Sequence, residues 1–326
     1  MINNFWENKK VLVTGGAGFV GSHLVEKLVK RNARVSVLDN LQNGKKENLD
    51  SVKNKVNLIK GDCTDINTAL KACKDQDIVM NLASRVGGIE YNRTHQATML
   101  RDILLIGTIM IEAARRANVD RFLVVSSACV YPHNCSIPTP ETEGFLDEPE
   151  PTNGGYGWGK RMSELLGKYY MEEFGMKVGI ARPYNCYGPR DHFDPEHSHV
   201  IPALIKRVFD GENPLNVWGS GRQTRAFLYV DDFVEGLMCT IEKYPVADAV
   251  NIGTNEEVSI AELVRKIVKL SKKKIKIVFD TTKPDGSSRR NSDNAKAKEK
   301  IDFKAKVSLD EGLSKTITWY KNAHRK

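Results

Sequence analysis

A serine, a tyrosine and a lysine in the middle of the chain have the types and spacing of an acid–base site. Tyr156 and Lys160 are four residues apart in a segment that predicts a helix, so their side chains share one helix face. A neighbouring ammonium stabilises a phenolate, and the hydroxyl of Ser127, at the end of a predicted strand, can hold a substrate oxygen. This combination fits general acid–base chemistry. A chance Tyr-x-x-x-Lys pair on a helix surface is the alternative interpretation.

A glycine-rich segment near the start of the chain predicts a binding site for a dinucleotide. The β-branched apolar run at 11–13 predicts a buried strand, and leucines and valines at helical spacing predict a helix over 23–30. Between them, Gly15 permits a tight turn, Gly18 lets backbone N–H groups approach phosphates, and Gly21 lets the helix pack close to the strand. The positive end of the helix then faces the anion. An ordinary strand-to-helix turn is the alternative.

An acidic residue at the right distance indicates which dinucleotide is bound. Asp39 follows a second predicted strand, about twenty residues after the glycines, where an acid reaches the adenosine ribose. A carboxylate accepts a hydrogen bond from a free 2′-hydroxyl and repels a 2′-phosphate, so NAD is favoured over NADP. Asp62, at the end of a third strand, is expected either to accept from the adenine amino group or to cap its loop. The other residues predicted to line the NAD site are Phe19, Val20, Asn40, Leu82 and the small Ala83, together with Tyr156 and Lys160.

Strands and helices alternate through the first half of the chain, which forces parallel strands with helices on both faces. The predicted fold class is α/β, with a Rossmann doubly wound parallel sheet and a smaller C-terminal α/β lid that binds substrate. The NAD-binding Rossmann domain is assigned to residues 1–180, with a returning segment near 226–256. Residues 181–225 and 257–326 are assigned to the substrate-binding domain.

The composition excludes several classes of protein. The longest nearly apolar run, at 103–111, is too short to cross a bilayer, and residues 1–10 lack the apolar core of a secretion signal. The six cysteines show no metal-type pairing, so no metal is predicted, and they fit a reducing cytoplasm. The net charge of +8 is spread along amphipathic stretches, which indicates a solvated face rather than a nucleic-acid site. A basic protein does attract small anionic substrates.

Over nearly its whole length the chain resembles the extended short-chain dehydrogenase/reductase superfamily, and within it the NAD-dependent epimerase/dehydratase family. The resemblance rests on the glycine motif, Asp39, Ser127, Tyr156, Lys160 and the segments 182–189 and 225–232. It implies that the serine, the tyrosine and the lysine form a catalytic triad. It also implies that the C-terminal part closes over a nucleotide-diphosphate sugar, and that a homodimer forms through the long helices beginning near Thr98 and Tyr156.

Three segments narrow the resemblance to the enzymes of GDP-sugars. Residues 86–89, 127–132 and 191–202 resemble GDP-mannose 3,5-epimerases and GDP-L-fucose synthases. In those enzymes a cysteine and a second acid/base invert C3 and C5 of a 4-keto sugar, which implies these roles for Cys129 and His199. A thiol and an imidazole have pKa values that bracket neutrality, so each serves as acid or base. The alternatives are a buried apolar Cys129 and a solvated loop histidine.

The choice between the two GDP-sugar activities depends on the cofactor. An epimerase keeps NAD bound and returns the hydride to C4, which Asp39 favours, whereas a synthase consumes NADPH. The segments 127–129, 222–225 and 290–293 are closer to the epimerase, and the loop 197–202 is closer to the synthase. A UDP- or dTDP-sugar 4-epimerase, a C4 dehydrogenase and a redox-sensing NAD-binding regulator are further alternatives.

Substrate contacts are predicted at paired glycines and in the later half of the chain. Gly87 and Gly88 either expose N–H groups to a sugar or form a simple turn. Asn185 is expected to meet the sugar or phosphate, and Trp218 to pack against the base. Guanidinium groups suit diphosphate oxygens, although each candidate arginine could instead be a surface ion-pair partner. These arginines are Arg207, Arg225, Arg289 and Arg290.

Overall fold

The computed structural model describes residues 4–85, 87, 89–194, 198–283 and 287–324. Its strands are β1 (Lys10–Thr14), β2 (Arg34–Asp39), β3 (Val56–Lys60), β4 (Ile78–Asn81), β5 (Arg121–Val125), β6 (Lys177–Pro183), β7 (Cys186–Tyr187), β8 (Leu215–Trp218), β9 (Thr224–Ala226), β10 (Leu228–Tyr229), β11 (Val250–Ile252), β12 (Glu257–Ser259), β13 (Ile277–Asp280) and β14 (Arg289–Arg290).

Helices alternate with these strands through the first half of the chain. The α-helices are α1 (Phe19–Lys30), α2 (Ile66–Cys73), α3 (Ile89–Thr94), α4 (Gln96–Arg116), α5 (Gly154–Phe174), α6 (Val200–Asp210), α7 (Val230–Lys243), α8 (Ile260–Ser271), α9 (Ala295–Ile301) and α10 (Leu309–Ala323). Across the described ranges, no helix combines the length and the apolar character that crossing a membrane requires.

A seven-stranded parallel sheet forms the centre of the molecule, in the order β11-β6-β5-β4-β1-β2-β3. The chain winds outwards from β1 on one side and from β4 on the other, so the strand order reverses between these two strands. Ligands of doubly wound folds bind at this switch point, beyond the carboxyl ends of the strands. The predicted α/β fold class is confirmed.

Both faces of the sheet are covered, which explains why its strands are apolar without alternation. On β1, Val11 and Val13 belong to one core cluster with Leu24 of α1, whereas Leu12 belongs to the opposite cluster with Met110 of α4. These side chains are all fully buried. Alternate residues of a strand point to opposite faces, so β1 joins both layers of the core.

The later half of the chain returns to the sheet before it forms a smaller α/β part. Strand β11 pairs with β6, and helix α7 packs against β5 and β6, so the segment near 226–256 contributes to the large sheet. The smaller part contains the parallel pair β8 and β13, the three-stranded sheet β12-β9-β14, and helices α6, α8 and α10. The division at residue 180 falls inside β6, and the domain boundaries themselves stay a prediction.

Candidate active site

The glycine turn between β1 and α1 is packed so closely that side chains at its glycines would clash with the backbone. Gly15 has a φ of +65°, and a Cβ there would lie 3.1 Å from the backbone N and Cα of Ala83. A Cβ on Gly21 would lie 2.1 Å from the Gly15 carbonyl oxygen, so the helix packs directly on the turn. Gly18 precedes α1 in an extended conformation. The turn therefore has the cradle that a dinucleotide pyrophosphate requires.

Asp39 holds this glycine turn from the end of β2. The side chain is 6% exposed; its Oδ2 accepts from the N–H of Ala17 at 2.9 Å, and its Oδ1 accepts from the N–H of Leu41 at 2.8 Å. A Cβ on Gly44 would lie 2.8 Å from both carboxylate oxygens, so the following loop covers the carboxylate closely. The acid is thus fixed beside the glycines, where the prediction for NAD requires it.

The other predicted cofactor residues border the same edge of the sheet. Asn40 donates to Oδ2 of Asp62 at 3.2 Å, which links the ends of β2 and β3. Hydrogen bonds from the N–H and the hydroxyl of Thr64, followed by that from Asn40, lower the pKa of Asp62 below its ordinary value. An ionised acceptor is therefore kept at the predicted adenine end.

The end of β4 faces the glycine turn directly. The N–H of Ala83 donates to the hydroxyl of Thr14 at 3.0 Å, and this hydroxyl donates to Asn81 at 2.7 Å. Leu82 lies between them, and its carbonyl carbon would be 3.3 Å from a Cβ on Gly15. Phe19 and Val20, the first residues of α1, are half-buried on the other side of the turn.

Ser127, Tyr156 and Lys160 are brought together, as their spacing predicted. Ser127 caps a short 3₁₀ turn, Ala128–Val130, and its Oγ accepts from the N–H of Cys129 at 3.1 Å. Ser127 is also hydrogen-bonded to the phenol of Tyr156. Lys160 lies one turn later on α5, and its Nζ is 5.4 Å from the centroid of the Tyr156 ring. The same Nζ donates a hydrogen bond of 2.9 Å to the carbonyl of Val125.

The charges at this cluster are set mainly by burial. Burial raises the pKa of the Tyr156 phenol above its ordinary value, the charge of Cys129 adds to that rise, and the hydrogen bond with Ser127 opposes it. Burial lowers the pKa of Lys160 to about 8, while Cys129 and Glu164 oppose that change. Lys160 remains charged at neutral pH, and an ammonium beside a phenol is the arrangement that favours phenolate.

Cys129 belongs to the same cluster and is not a closed core residue. Its side chain is half-buried, and it acts electrostatically on both Tyr156 and Lys160. The carbonyl of the preceding residue, Ala128, accepts from Arg290 at 3.4 Å. The short turn that carries this thiol therefore also contacts an arginine of the smaller part.

The four predicted arginines separate into two pairs. Arg225 and Arg290 are neighbours across the parallel strands β9 and β14, and burial followed by the charge of Arg290 lowers the pKa of Arg225. The guanidinium of Arg290 is 3.6 Å from Glu150. Arg289 instead forms an ion pair of 2.9 Å with Glu257.

Arg207 is also held by a carboxylate. It binds Glu212 through two nitrogen atoms, one of which also donates to the carbonyl of Asn216. The structure thus brings Arg290 to the catalytic cluster with Arg225 beside it, whereas Arg207 and Arg289 are held by Glu212 and Glu257.

His199 lies at the N-terminus of α6 and is exposed in the chain. An imidazole that is neutral at physiological pH can accept a proton. The structure records no contact of His199 with Cys129 or Tyr156 within the ranges that it describes, so its role stays a prediction.

The remaining predicted substrate residues have different surroundings. Gly87 is buried against the ring of Tyr91, where a Cβ would lie 2.5 Å from the ring, and Gly88 lies outside the described residues. Asn185 is exposed and donates to the carbonyl of Ala226 at 3.1 Å. Trp218 ends β8 and is 67% exposed, with the Lys283 ammonium 5.8 Å from its ring centroid.

Sequence reasoning missed a buried ion pair behind the catalytic cluster. Glu164 and Arg182 are 4% and 3% exposed, and two guanidinium nitrogens lie 2.9 and 2.7 Å from the carboxylate oxygens. The sequence placed each residue near the site separately, since Glu164 follows Lys160 by one helical turn and Arg182 belongs to the recognised segment 182–189, but it did not show that the two would meet.

Comparisons with known proteins agree with this geometry. Residues 11–253 match the model of the NAD dependent epimerase/dehydratase family. The chain is 33% identical to a GDP-L-fucose synthase of Sinorhizobium fredii, covering 95% of each chain. It is 30% identical to a GDP-mannose 3,5-epimerase of Arabidopsis thaliana, covering 97% of this chain and 84% of that protein. A UDP-glucose 4-epimerase of Thermotoga maritima, solved with UDP-glucose, superposes with a TM-score of 0.87 at 28% identity, covering 96% and 99% of the two chains.

Proposed function

Because the chain belongs to the NAD-dependent epimerase/dehydratase family, we propose that it inverts C3, C5 or both of a GDP-hexose through a transient ketone at C4. Family membership confirms the predicted resemblance, the prediction of an enzyme of the extended short-chain dehydrogenase/reductase type, and the prediction of NAD as cofactor. The observation that carries the finer proposal is the position of Cys129. A half-buried thiol acts electrostatically on both Tyr156 and Lys160.

The residues of this cluster divide the proton transfers among them. NAD, held by the glycine turn and Asp39, would supply the acceptor and the later donor of the C4 hydride. The phenolate of Tyr156, formed beside the Lys160 ammonium against the effect of burial, removes the proton of the C4 hydroxyl while Ser127 holds the same oxygen. The resulting ketone makes the hydrogens on C3 and C5 acidic. Cys129 exchanges a proton at one face of the ring, and the C4 oxygen regains its proton from Tyr156 when the hydride returns.

A second acid/base must serve the opposite face of the ring. We assign this role to His199, which is carried on the loop that leads into α6. An imidazole has an ordinary pKa near 6.5, so it is largely unprotonated near pH 7 and can remove a proton. Replacing His199 with Asn is expected to stop inversion, because no group then serves the opposite face of the ring, whereas His192→Asn should leave inversion in place.

The anionic part of the substrate is assigned to Arg225 and Arg290. Two guanidiniums held as neighbours beside the carbonyl of Ala128 suit the four oxygens of a diphosphate. Gly87, Gly88 and Asn185 remain proposed sugar contacts, and Trp218 a proposed contact of the base. Arg207 and Arg289 are also proposed to contact the substrate. To do so, each would have to leave its carboxylate partner, Glu212 or Glu257, and bind phosphate instead.

The proposal is tested by isotope exchange in heavy water. GDP-mannose incubated with the protein, with no added nicotinamide, is expected to yield GDP-hexose isomers that carry deuterium at C3 or C5. Cys129→Ala should lower this exchange by about 100-fold. Cys135→Ala is the matched control, because Cys135 is also half-buried but bonds to Thr139 at 3.4 Å. Undiminished exchange in Cys129→Ala would remove the thiol from the mechanism.

Two observations favour neighbouring activities, which the same assay separates. The loop 197–202 and the 33% identity to a fucose synthase favour a reductase that follows epimerisation, and such an enzyme turns over only when NADPH is supplied. The similarity to a UDP-glucose 4-epimerase favours inversion at C4. That reaction returns the same hydride, so it incorporates no solvent deuterium.

We also propose a cytoplasmic homodimer that is formed through α4 and α5. Leu105 on α4 and Trp158 and Tyr169 on α5 are large apolar side chains that are exposed in the single chain. Exposed apolar groups on two adjacent long helices suit a helix-to-helix interface. Leu105→Glu with Tyr169→Glu is expected to give a monomer by light scattering.

A further inference from the structure

The segment that carries Ser127 and Cys129 is tied at both ends to one buried ion pair. We call residues 126–131 the catalytic loop. At its start, Ser126 donates from its hydroxyl to Oε1 of Glu164. At its end, Tyr131 accepts from Arg182 at 3.2 Å through its hydroxyl oxygen. Ser126 and Tyr131 are 2% and 1% exposed, so water does not compete for either bond.

The same ion pair is attached to the helix that carries the catalytic phenol. Glu164 lies on α5, one turn after Lys160, whereas Arg182 lies at the end of β6. Arg182 also donates to the carbonyl of Glu141 at 2.7 Å. The Tyr131 hydroxyl in turn donates to Asn251 of β11 at 2.5 Å. Strands β6 and β11, helix α5 and the loop after β5 therefore meet at a single polar network.

A buried ion pair is a poor source of stability, because desolvating two charges costs about as much as their attraction returns. An apolar pair of similar volume would often stabilise a protein as well. The charged pair instead fixes the orientation of its neighbours, because hydrogen bonds to a carboxylate or a guanidinium form only over a limited range of angles. The carboxylate of Glu164 fixes Ser126, and the guanidinium of Arg182 fixes Tyr131.

We propose that the Glu164–Arg182 pair is a positioning element that holds the two ends of the catalytic loop in register with Tyr156 and Lys160. The hydrogen bond between Ser126 and Glu164 positions the hydroxyl of Ser127 for the hydride step. The hydrogen bond between Tyr131 and Arg182 positions the thiol of Cys129 for proton exchange. The second assignment rests on the proposed function, whereas the first depends only on the Ser127, Tyr156 and Lys160 cluster.

The two ties are tested separately with small changes that remove one hydroxyl each. Ser126→Ala is expected to slow single-turnover reduction of bound NAD by substrate about tenfold. Tyr131→Phe is expected to slow solvent deuterium exchange about tenfold while reduction of NAD falls less than threefold. Tyr187→Phe is the matched control, because Tyr187 is 1% exposed and its hydroxyl donates to the carbonyl of Leu309 at 3.3 Å in the smaller part. Both rates should persist in the control.

A measurement without substrate separates failure of this inference from failure of the proposed function. In the NAD-bound protein, the rate at which iodoacetamide alkylates Cys129, mapped by peptide mass spectrometry, should rise at least threefold in Tyr131→Phe, because the thiol is half-buried in the native loop. The control variant should match the native rate. Unchanged alkylation in Tyr131→Phe, or equal losses of both rates in Ser126→Ala and Tyr131→Phe, would overturn the inference. Loss of deuterium exchange in the native protein alone would overturn only the proposed function.

Discussion

The cofactor side and the substrate side of the active site differ in how their polar groups are paired. On the cofactor side, both oxygens of Asp39 accept backbone N–H groups, and Thr14 both donates and accepts a hydrogen bond. On the substrate side, Arg225 and Arg290 lie next to each other, and burial followed by the charge of Arg290 lowers the pKa of Arg225. Glu150, at 3.6 Å from Arg290, compensates only in part.

This difference indicates that the two sides contribute to activity in different ways. The cofactor side is complete before NAD binds, so a change there should alter the free protein as well as the complex. The substrate side holds repulsion between like charges that an anionic diphosphate relieves. A change there should weaken substrate binding and leave the free protein as stable as before, or more stable.

The largest effect is expected where the two sides meet, at Tyr156. Tyr156→Phe removes the phenol that exchanges a proton with the C4 oxygen, so kcat should fall by about 10²- to 10⁴-fold. Dissociation constants for NAD and for the nucleotide sugar should change less than about threefold, because the ring remains in place. Stopped-flow reduction of bound NAD measures the loss, and fluorescence titration measures the binding.

A second tyrosine on α5 provides the control for this variant. Tyr170 donates to Glu112 at 3.1 Å on the side of the helix that faces α4. Tyr170→Phe should keep native kcat. If Tyr156→Phe turned over at the native rate, both sides of the site would have been assigned to the wrong chemistry.

On the cofactor side, Gly21→Ala is expected to lower both the affinity for NAD and the free energy of unfolding. The new Cβ would lie 2.1 Å from the carbonyl oxygen of Gly15, which belongs to rigid backbone, so α1 must move away from β1. Overpacking of this kind costs about 1–3 kcal/mol of unfolding free energy. The dissociation constant for NAD should rise about 10- to 100-fold, as measured by titration calorimetry.

A glycine on another helix provides a control, because replacing it with alanine creates no clash with rigid backbone. A Cβ on Gly107 of α4 would lie 3.3 Å from the side-chain oxygen of Ser163, which can rotate. Gly107→Ala should therefore leave NAD binding unchanged and stabilise the helix by up to about 1 kcal/mol. Equal losses of NAD affinity in the two variants would contradict the tight packing at the glycine turn.

The same contrast explains how much of the site could be predicted from the sequence. The cofactor side is local, because Gly15, Gly18 and Gly21 lie in the turn after β1 and the start of α1, and Asp39 ends the adjacent strand β2, so their spacing alone predicted their meeting. Tyr156 and Lys160 were predictable for the same reason, since one helical turn separates them. The fold class followed from the alternation of strands and helices.

The substrate side depends on pairings between distant segments, which spacing does not reveal. Arg289 and Arg290 were equivalent candidates in the sequence, but β14 turns one towards Glu257 and places the other beside Arg225. Glu164 and Arg182 are separated by 18 residues and meet only because α5 packs against β6. Nothing local in the sequence indicated that these two charges would be buried together.

On the substrate side, Arg290→Gln and Arg225→Gln are expected to raise the KM for a nucleotide sugar about tenfold each, because a charge-assisted bond to phosphate is lost. The melting temperature of the free protein should stay the same or rise, since the repulsion between the two guanidiniums disappears. Arg289→Gln, on the same strand, should raise KM less than about threefold, because Arg289 would have to leave its exposed ion pair with Glu257 before it could bind phosphate. A fall in melting temperature for Arg290→Gln would contradict the claim that the two guanidiniums destabilise the free protein.

The smallest effect concerns pH, and it tests the lysine that serves both sides. Burial lowers the pKa of Lys160 to about 8, so its ammonium is largely present at pH 7 and is lost as the pH rises through the pKa. The rate of NAD reduction by substrate should therefore be nearly constant up to about pH 7 and fall about fourfold by half a unit above the pKa. In Lys160→Arg, where the guanidinium stays charged, this fall should be absent, although the maximal rate is lower. A native rate that increased between pH 8 and 9 would show that loss of the tyrosine proton, and not retention of the lysine charge, limits the first chemical step.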